Sequence, residues 1–241
     1  MLKRGTRGSH RALVVVALLL MLVGPTPFSV YGSVVWAALP LPKAQQQSEL
    51  DNLIKRIETR YGRMRGLAAD FEQTYSAPGI RTRRERGRLF LQRPRRMRWE
   101  YDPKPGKLFI VNGREVWFYV PADREATHAD AGKVSDARFP FLFLLGNTNL
   151  RRAFRSITLV EGNNSSPDAR TLRLVSRDNV SGLREIFLEV FADGWISRIK
   201  IIDEAGATSE VSLTNMRENF IAPDEAFNFQ PPPGVTVRRI K

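Results

Sequence analysis

Cysteine is absent from this chain, which rules out a disulfide framework, a thiolate metal site and a thiol nucleophile. It also rules out lipid attachment at a cysteine behind an export signal, so any lipid the protein handles is bound rather than covalent. Histidine is nearly as scarce, with only His10 and His128. His10 falls in a segment expected to be removed, and a single imidazole cannot build a metal site alone. His128 lies in the polar stretch 123–130, where neighbouring carboxylates could join it around a metal; the stretch lacks ligand spacing and reads as a solvated acidic and basic loop. Neither a Gly-x-Ser-x-Gly turn nor a glycine-rich phosphate loop occurs. Two carboxylates brought together across a fold need no local motif. Here, however, Glu100, Glu185 and Glu189 fall at alternate strand positions beside arginines, the pattern of a solvated outer face. The expectation is a protein that is not an enzyme and carries no cofactor and no metal.

Long apolar runs are missing too, with one exception. Residues 12–23 are uninterrupted apolar, follow Lys3, Arg4, Arg7 and Arg11, and stop at Gly24, Pro25 and Pro27. The run is shorter than the roughly 20 residues a spanning helix needs and reads as a secretory signal. Residues 1–37 are expected to be cleaved after Ala37, with Gly32 as the other cut site and an uncleaved anchor as the other outcome. Residues 38–47, with Pro40, Pro42 and three glutamines in a row, read as a flexible leader. Residues 48–241 read as a single domain long enough to bury a real core. Net charge is +13 and falls to +9 once the four basic residues of the signal leave. Export removes nucleic acid as a partner; anionic lipid headgroups, acidic proteins or plain solubility remain as reasons for the excess.

In the domain, Leu50, Leu53, Ile54, Ile57 and Tyr61 recur at helical spacing, with Ser48 as N-cap, acids in the first turn and Gly62 as stop. From Leu67 the period becomes two. Strands are expected at 71–75, 87–92, 97–101, 108–111, 116–119, 157–160, 171–176, 186–191, 195–201, 209–215 and 235–239. Asn112-Gly113 and Asp193-Gly194 are placed as tight two-residue hairpin turns. One helix and many hairpins point to a single curved antiparallel sheet. The run Phe139-Pro140-Phe141-Leu142-Phe143-Leu144-Leu145 has no alternation and reads as a short helix apolar all round, with another helical turn at 149–154. It is either a plug of the core or a lid over a ligand cavity.

Residues 87–101 concentrate the remaining signal. Met97, Trp99 and Tyr101 share one strand face, with Arg96, Arg98 and Glu100 on the other. The charge run 81–98 reads as a wet strand face and loop, with a headgroup clamp as the alternative. Met97, Trp99, Phe109, Trp117, Tyr119, Phe141 and Phe143 are side chains suited to a lipid cavity, and core packing accounts for them equally well.

Arg93-Pro94 followed by Trp99-Glu100-Tyr101, then Asn112-Gly113 and Val116-Trp117-Phe118-Tyr119-Val120-Pro121, resembles the periplasmic outer-membrane lipoprotein carrier family LolA. The closing run Phe227-Asn228-Phe229-Gln230-Pro231-Pro232-Pro233-Gly234-Val235-Thr236-Val237 is similar to the end of that family's chains, and the likeness spans Ser48 to Val237. The resemblance implies a mainly β fold with an α lid, an incomplete, half-open antiparallel β-barrel covered by an N-terminal helix and short lid helices. It implies a periplasmic carrier that binds the acyl chains of lipoproteins released by an inner-membrane ABC transporter and passes them to an outer-membrane acceptor of LolB type, acting as a monomer. It further implies that Arg93, before Pro94, hydrogen-bonds the lid backbone and holds the closed form, that Met97 and Trp99 line the entrance, and that Phe141, Leu142 and Phe143 come from the lid. Met97 departs from the bulkier residue, commonly Phe, at this place in relatives, and the arginines at 93–98 also set this chain apart. Readings of other classes are a sensor or scaffold built on the same half-barrel, and a carrier of another amphiphilic lipid.

Overall fold

A computed structural model describes residues 43–132, 149–162, 164–177 and 182–240. The expected signal segment and the apolar run 139–145 therefore lie outside the described residues. The first element is α1 (Lys43–Arg63). It begins five residues before Ser48, so Ser48 is interior to the helix rather than its cap, and residues 43–47, expected in a leader, are helical. Gly62 does not end it: the Met64 amide still donates to the Arg60 carbonyl at 3.1 Å. Glycine in a last turn costs about 1 kcal/mol, less than burying the stripe Leu50, Leu53, Ile54, Ile57 and Tyr61 returns at about 1.5–3 kcal/mol per large side chain.

Among the described residues the strands form one sheet. They are β1 (Gly66–Ala77), β2 (Ile80–Gln92), β3 (Arg96–Tyr101), β4 (Leu108–Asn112), β5 (Glu115–Val120), β6 (Glu125–Asp130), β7 (Phe154–Val160), β8 (Ala169–Ser176), β9 (Leu183–Phe191), β10 (Ile196–Asp203), β11 (Thr208–Glu218) and β12 (Thr236–Arg239). Their spatial order is β12-β6-β5-β4-β3-β2-β1-β11-β10-β9-β8-β7. Two meanders are thus joined where β1 pairs with β11, and the end strands β12 and β7 do not meet. This is the open half-barrel expected.

β6 was not foreseen as a strand. Its sequence Glu-Ala-Thr-His-Ala-Asp looks like a loop because its buried positions are filled by alanine: Ala126 and Ala129 are buried, one on each face. β12 pairs with β6 in parallel, because the chain crosses the outer face from β11 before reaching the far edge. The expected helical turn is α2 (Leu150–Ala153), capped by Asn149, whose Oδ1 accepts from the Arg152 amide at 2.9 Å.

The two hairpin dipeptides sit in turns, displaced from the positions expected. The Phe191 amide donates to Trp195 O at 2.8 Å and the Gly194 amide to Phe191 O at 2.9 Å, with Gly194 at φ +90. This is a type I turn followed by a left-handed glycine bulge rather than a two-residue turn. The β4–β5 connection pairs Val111 with Val116, and the Asn112 side chain accepts from the amides of Arg114 and Glu115 at 3.0 and 2.8 Å.

Candidate functional site

Cross-strand register decides which side chains share a face. Leu91, Met97, Val111 and Val116 lie opposite one another on successive strands, as do Leu89, Trp99, Phe109 and Phe118. With Leu67 and Phe71 of β1, all of these but the exposed Phe118 make a continuous apolar inner face, which joins the buried stripe of α1 and the inner residues of β8 to β11 in one cluster. Met97 is 0% exposed at its centre. Phe71 meets Trp99 edge-on at 4.5 Å between ring centroids and Tyr101 at 5.1 Å. Of the proposed cavity residues, Met97, Trp99 and Phe109 are thus brought together, and Phe71, Leu89, Leu91 and Val111 join them.

Trp117 and Tyr119 are not part of this face. Trp117 stands opposite Ile110 and His128 on the outer side, its ring stacked on the imidazole at 4.1 Å and near Phe229 at 5.4 Å; Tyr119 packs on Phe229 at 5.2 Å. The cause is strand parity. Phe109 and Trp117 fall on opposite faces for the observed connection and for the shorter turn expected from Asn112-Gly113, so the correction was available from the sequence. Phe141, Leu142 and Phe143 lie outside the described residues.

The apolar face ends at a polar belt. The Tyr101 hydroxyl donates to Gln73 Oε1 at 3.0 Å, Gln73 Nε2 donates to Ser209 Oγ at 2.9 Å, and Lys107 bonds Glu85 beside them. Burial, aided by the Glu85 carboxylate, pushes the Tyr101 phenol well above its ordinary range, so it stays a neutral donor. Large flat and flexible apolar groups bounded by a hydrogen-bonded rim suit a ligand with hydrocarbon chains and a polar head.

α1 covers the inner face and is held at its C-terminal end by polar bonds. The Tyr61 hydroxyl accepts from the Ile196 amide at 3.2 Å, and burial pushes this phenol upward as well. Arg60 pairs with Asp193 at 3.0 Å and Glu218 at 2.8 Å. Arg93, ahead of the cis peptide to Pro94, donates from Nη2 to Tyr61 O at 2.6 Å and from Nε to Met64 O at 3.0 Å. Its described side-chain bonds therefore go to the last turn of α1 and the residue just after it, where carbonyls lack partners of their own.

The outer face carries a second small core. Residues 219–230 cross it, with Arg98 Nη1 donating to Ala226 O at 2.8 Å and the Ala222 amide to Gln92 Oε1 at 2.9 Å, burying Phe227, whose ring lies 5.1 Å from the Arg96 guanidinium. Glu189 is also on this face. It is only 3% exposed, not solvated as expected, because the turn segment before β8 closes over it, the Ser165 amide donating to its Oε2 at 3.1 Å. Nε2 of His128 lies 3.1 Å from Glu115 Oε1. Burial works against the Glu115 carboxylate, but bonds from Trp117, Asn112 and His128 hold it below its usual range.

The family model described as outer membrane lipoprotein carrier protein LolA matches residues 62–230. An outer-membrane lipoprotein carrier protein of Methylococcus capsulatus is 27% identical over 183 residues, covering 76% of this chain and 85% of the relative. One from Dechloromonas aromatica is 26% identical over 204 residues, covering 84% of this chain and 92% of the relative. Among solved structures, a LolA superfamily protein from Nitrosomonas europaea aligns with a TM-score of 0.41 at 13% identity, over 75% of this chain and 97% of that one.

Proposed function

Since the chain belongs to the LolA family, we propose that it is a periplasmic carrier that shields the acyl chains of lipoproteins against its inner face and gives them up to the outer membrane. The observation that carries this reading is the uninterrupted apolar face through Phe71, Leu89, Met97, Trp99 and Phe109, roofed by a helix whose C-terminal end rests on hydrogen bonds. Each acyl methylene exposed to water costs about 0.8 kcal/mol, so a chain of about 15 costs roughly 12 kcal/mol. A shuttle must offset that cost and still let go. Its cover should therefore hold the empty face only weakly, so that cargo displaces it and an acceptor can later win.

In this reading, residues 1–37 direct export and are cleaved, and the protein acts as a monomer that meets an inner-membrane ABC transporter and then an acceptor of LolB type. Arg93 with Pro94 gates the closed form, Met97, Trp99 and Phe109 contact acyl chains, and Phe141, Leu142 and Phe143 supply the lid. Transfer needs no catalysis and no cofactor. Met at position 97, unbranched and adaptable, makes the face tolerant of chain shape.

The test is purification from the periplasm followed by mass spectrometry of bound molecules, with Trp99→Ala as comparison. Acylated lipoproteins on the wild type and reduced loading in the variant support the proposal. Free lipids alone would replace it with carriage of another amphiphile, and a single unlipidated protein partner would replace it with a sensor.

A further inference from the structure

The β1–β2 hairpin carries a surface that neither the inner face nor the sheet uses. β2 starts at Ile80, yet its pairing with β3 begins only at Gly87 opposite Tyr101. Residues 80–85 therefore have β1 on one side and no strand on the other. Gly79 in the turn faces open space: a Cβ placed on it, at φ +74, would meet nothing within 4 Å. Next to it Ile80 is 56% exposed, among the most exposed large apolar residues described.

Behind this apex come Arg81, Arg83, Arg84, Arg86 and Arg88, with Glu85 as the only acid among them. Glu85 is engaged by Lys107. Arg88 approaches Asp70 at 3.9 Å, and Arg83 lies over the Tyr75 ring at 5.4 Å. Among the described residues no acid pairs with Arg81, Arg84 or Arg86. Alternation puts Arg81 and Arg83 on one face of the ribbon and Arg84 and Arg86 on the other.

An apolar apex backed by unneutralised cations matches a layered environment. At a rise of about 3.3 Å per residue, Arg81 and Arg83 sit about 3 and 10 Å behind Ile80. The headgroup layer of one leaflet is roughly 5–8 Å thick. With Ile80 at the acyl boundary, both guanidinium groups reach the phosphates. An acidic protein surface would satisfy the arginines but would need a separate pocket for Ile80, whereas a bilayer supplies both.

We propose that the tip of the β1–β2 hairpin docks the protein reversibly on a bilayer of anionic phospholipid, with Ile80 entering the acyl boundary and Arg81, Arg83 and Arg84 on the phosphates. One aliphatic side chain anchors little, so the attachment is mainly electrostatic and salt-sensitive. It requires no acyl chain on the inner face, so it stands or falls separately from the carrier reading.

The test is co-sedimentation of protein recovered from the periplasm with vesicles of phosphatidylglycerol and phosphatidylcholine, against phosphatidylcholine alone. Binding is expected to the anionic vesicles at about 0.1 M salt and to be lost near 1 M, where screening shortens to about 3 Å. The combined change Arg81→Gln, Arg83→Gln, Arg84→Gln should weaken it on the order of 100-fold, and Ile80→Ser severalfold, with the melting curve unchanged because all four side chains are exposed. As the chain has no cysteine, Ile80→Cys carries an environment-sensitive fluorophore uniquely. Its emission should shift to the blue on anionic vesicles, while the same label at Arg63→Cys does not. Vesicle binding indifferent to these substitutions overturns the proposal, as does capture of an acidic protein that depends on the arginines but not on Ile80.

Discussion

Arg93 donates to the carbonyl oxygen of Tyr61 at 2.6 Å, so a residue of the β2–β3 turn closes the exposed end of the helix that roofs the inner face. The cation also sits at the negative end of the α1 dipole, and a second bond runs to Met64 O at 3.0 Å. Arg93→Leu should cost about 2–4 kcal/mol, since bonds involving a charged group contribute about 1.5–3 kcal/mol each and water replaces part of the loss. In a domain of this size that lowers the melting temperature by roughly 5–15 °C. Hydrogen exchange should quicken in the last turns of α1 and stay unchanged in β8 and β9. Arg93→Lys, which reaches one carbonyl at a time, should recover only part.

Gly87 gives a prediction of the opposite kind, where nothing can be added. A Cβ at this position would lie 1.8 Å from Glu100 O and 3.0 Å from the Phe71 ring that covers it. Gly87→Ala must therefore force β3 away from β2 or displace Phe71 from Trp99 and Tyr101. A loss of at least about 2 kcal/mol is expected, and the near-ultraviolet dichroism of the aromatic cluster should weaken while far-ultraviolet dichroism is kept.

Trp99 and Trp117 are distinguished by face, which fluorescence can read. If acyl chains occupy the inner face, a brominated fatty acid should quench Trp99 and spare Trp117, which stacks on His128 outside. Trp99→Phe should then abolish most of the quenching and Trp117→Phe should leave it. Equal loss in both variants would contradict the inner face as the binding surface.

The sheet and the inner face on β3 were legible because large apolar residues alternate there with arginines and glutamate, as Met97, Trp99 and Tyr101 do, whereas its open edges were expected only from the family resemblance. Where both faces of a strand are apolar, alternation has no contrast, which is why Trp117 and Tyr119 were grouped with Phe109 until register separated them. β6 was hidden for the reverse reason, its buried positions being alanines too small to mark a face. The ties of Arg60, Arg93 and Glu189 join residues up to 158 positions apart in the chain. No local pattern announces contacts of that separation.

Glu189 makes the sheet's stability depend on acid. Burial by itself would favour the neutral carboxyl. The Ser165 hydroxyl and amide, the Ser197 hydroxyl at 2.9 Å and the Arg198 guanidinium all donate to it and together hold it below the usual carboxylate range. A carboxylate lowered in the fold contributes stability that is whole above its unfolded value of about 4.3. That contribution shrinks as pH falls through the folded value and is gone below it. Melting temperature should therefore decline from about pH 6 to pH 3. Glu189→Gln keeps the size but not the charge, so it should be less stable than the parent near neutrality, with the gap closing toward pH 3. Some acid sensitivity must persist in the variant, because the hydrogen bond from Arg173 holds Glu185 low in the same way. A variant that tracks the parent in parallel across the whole range would show that Glu189 is bound equally well protonated, and that its donors serve only to fill space under the turn that carries Ser165.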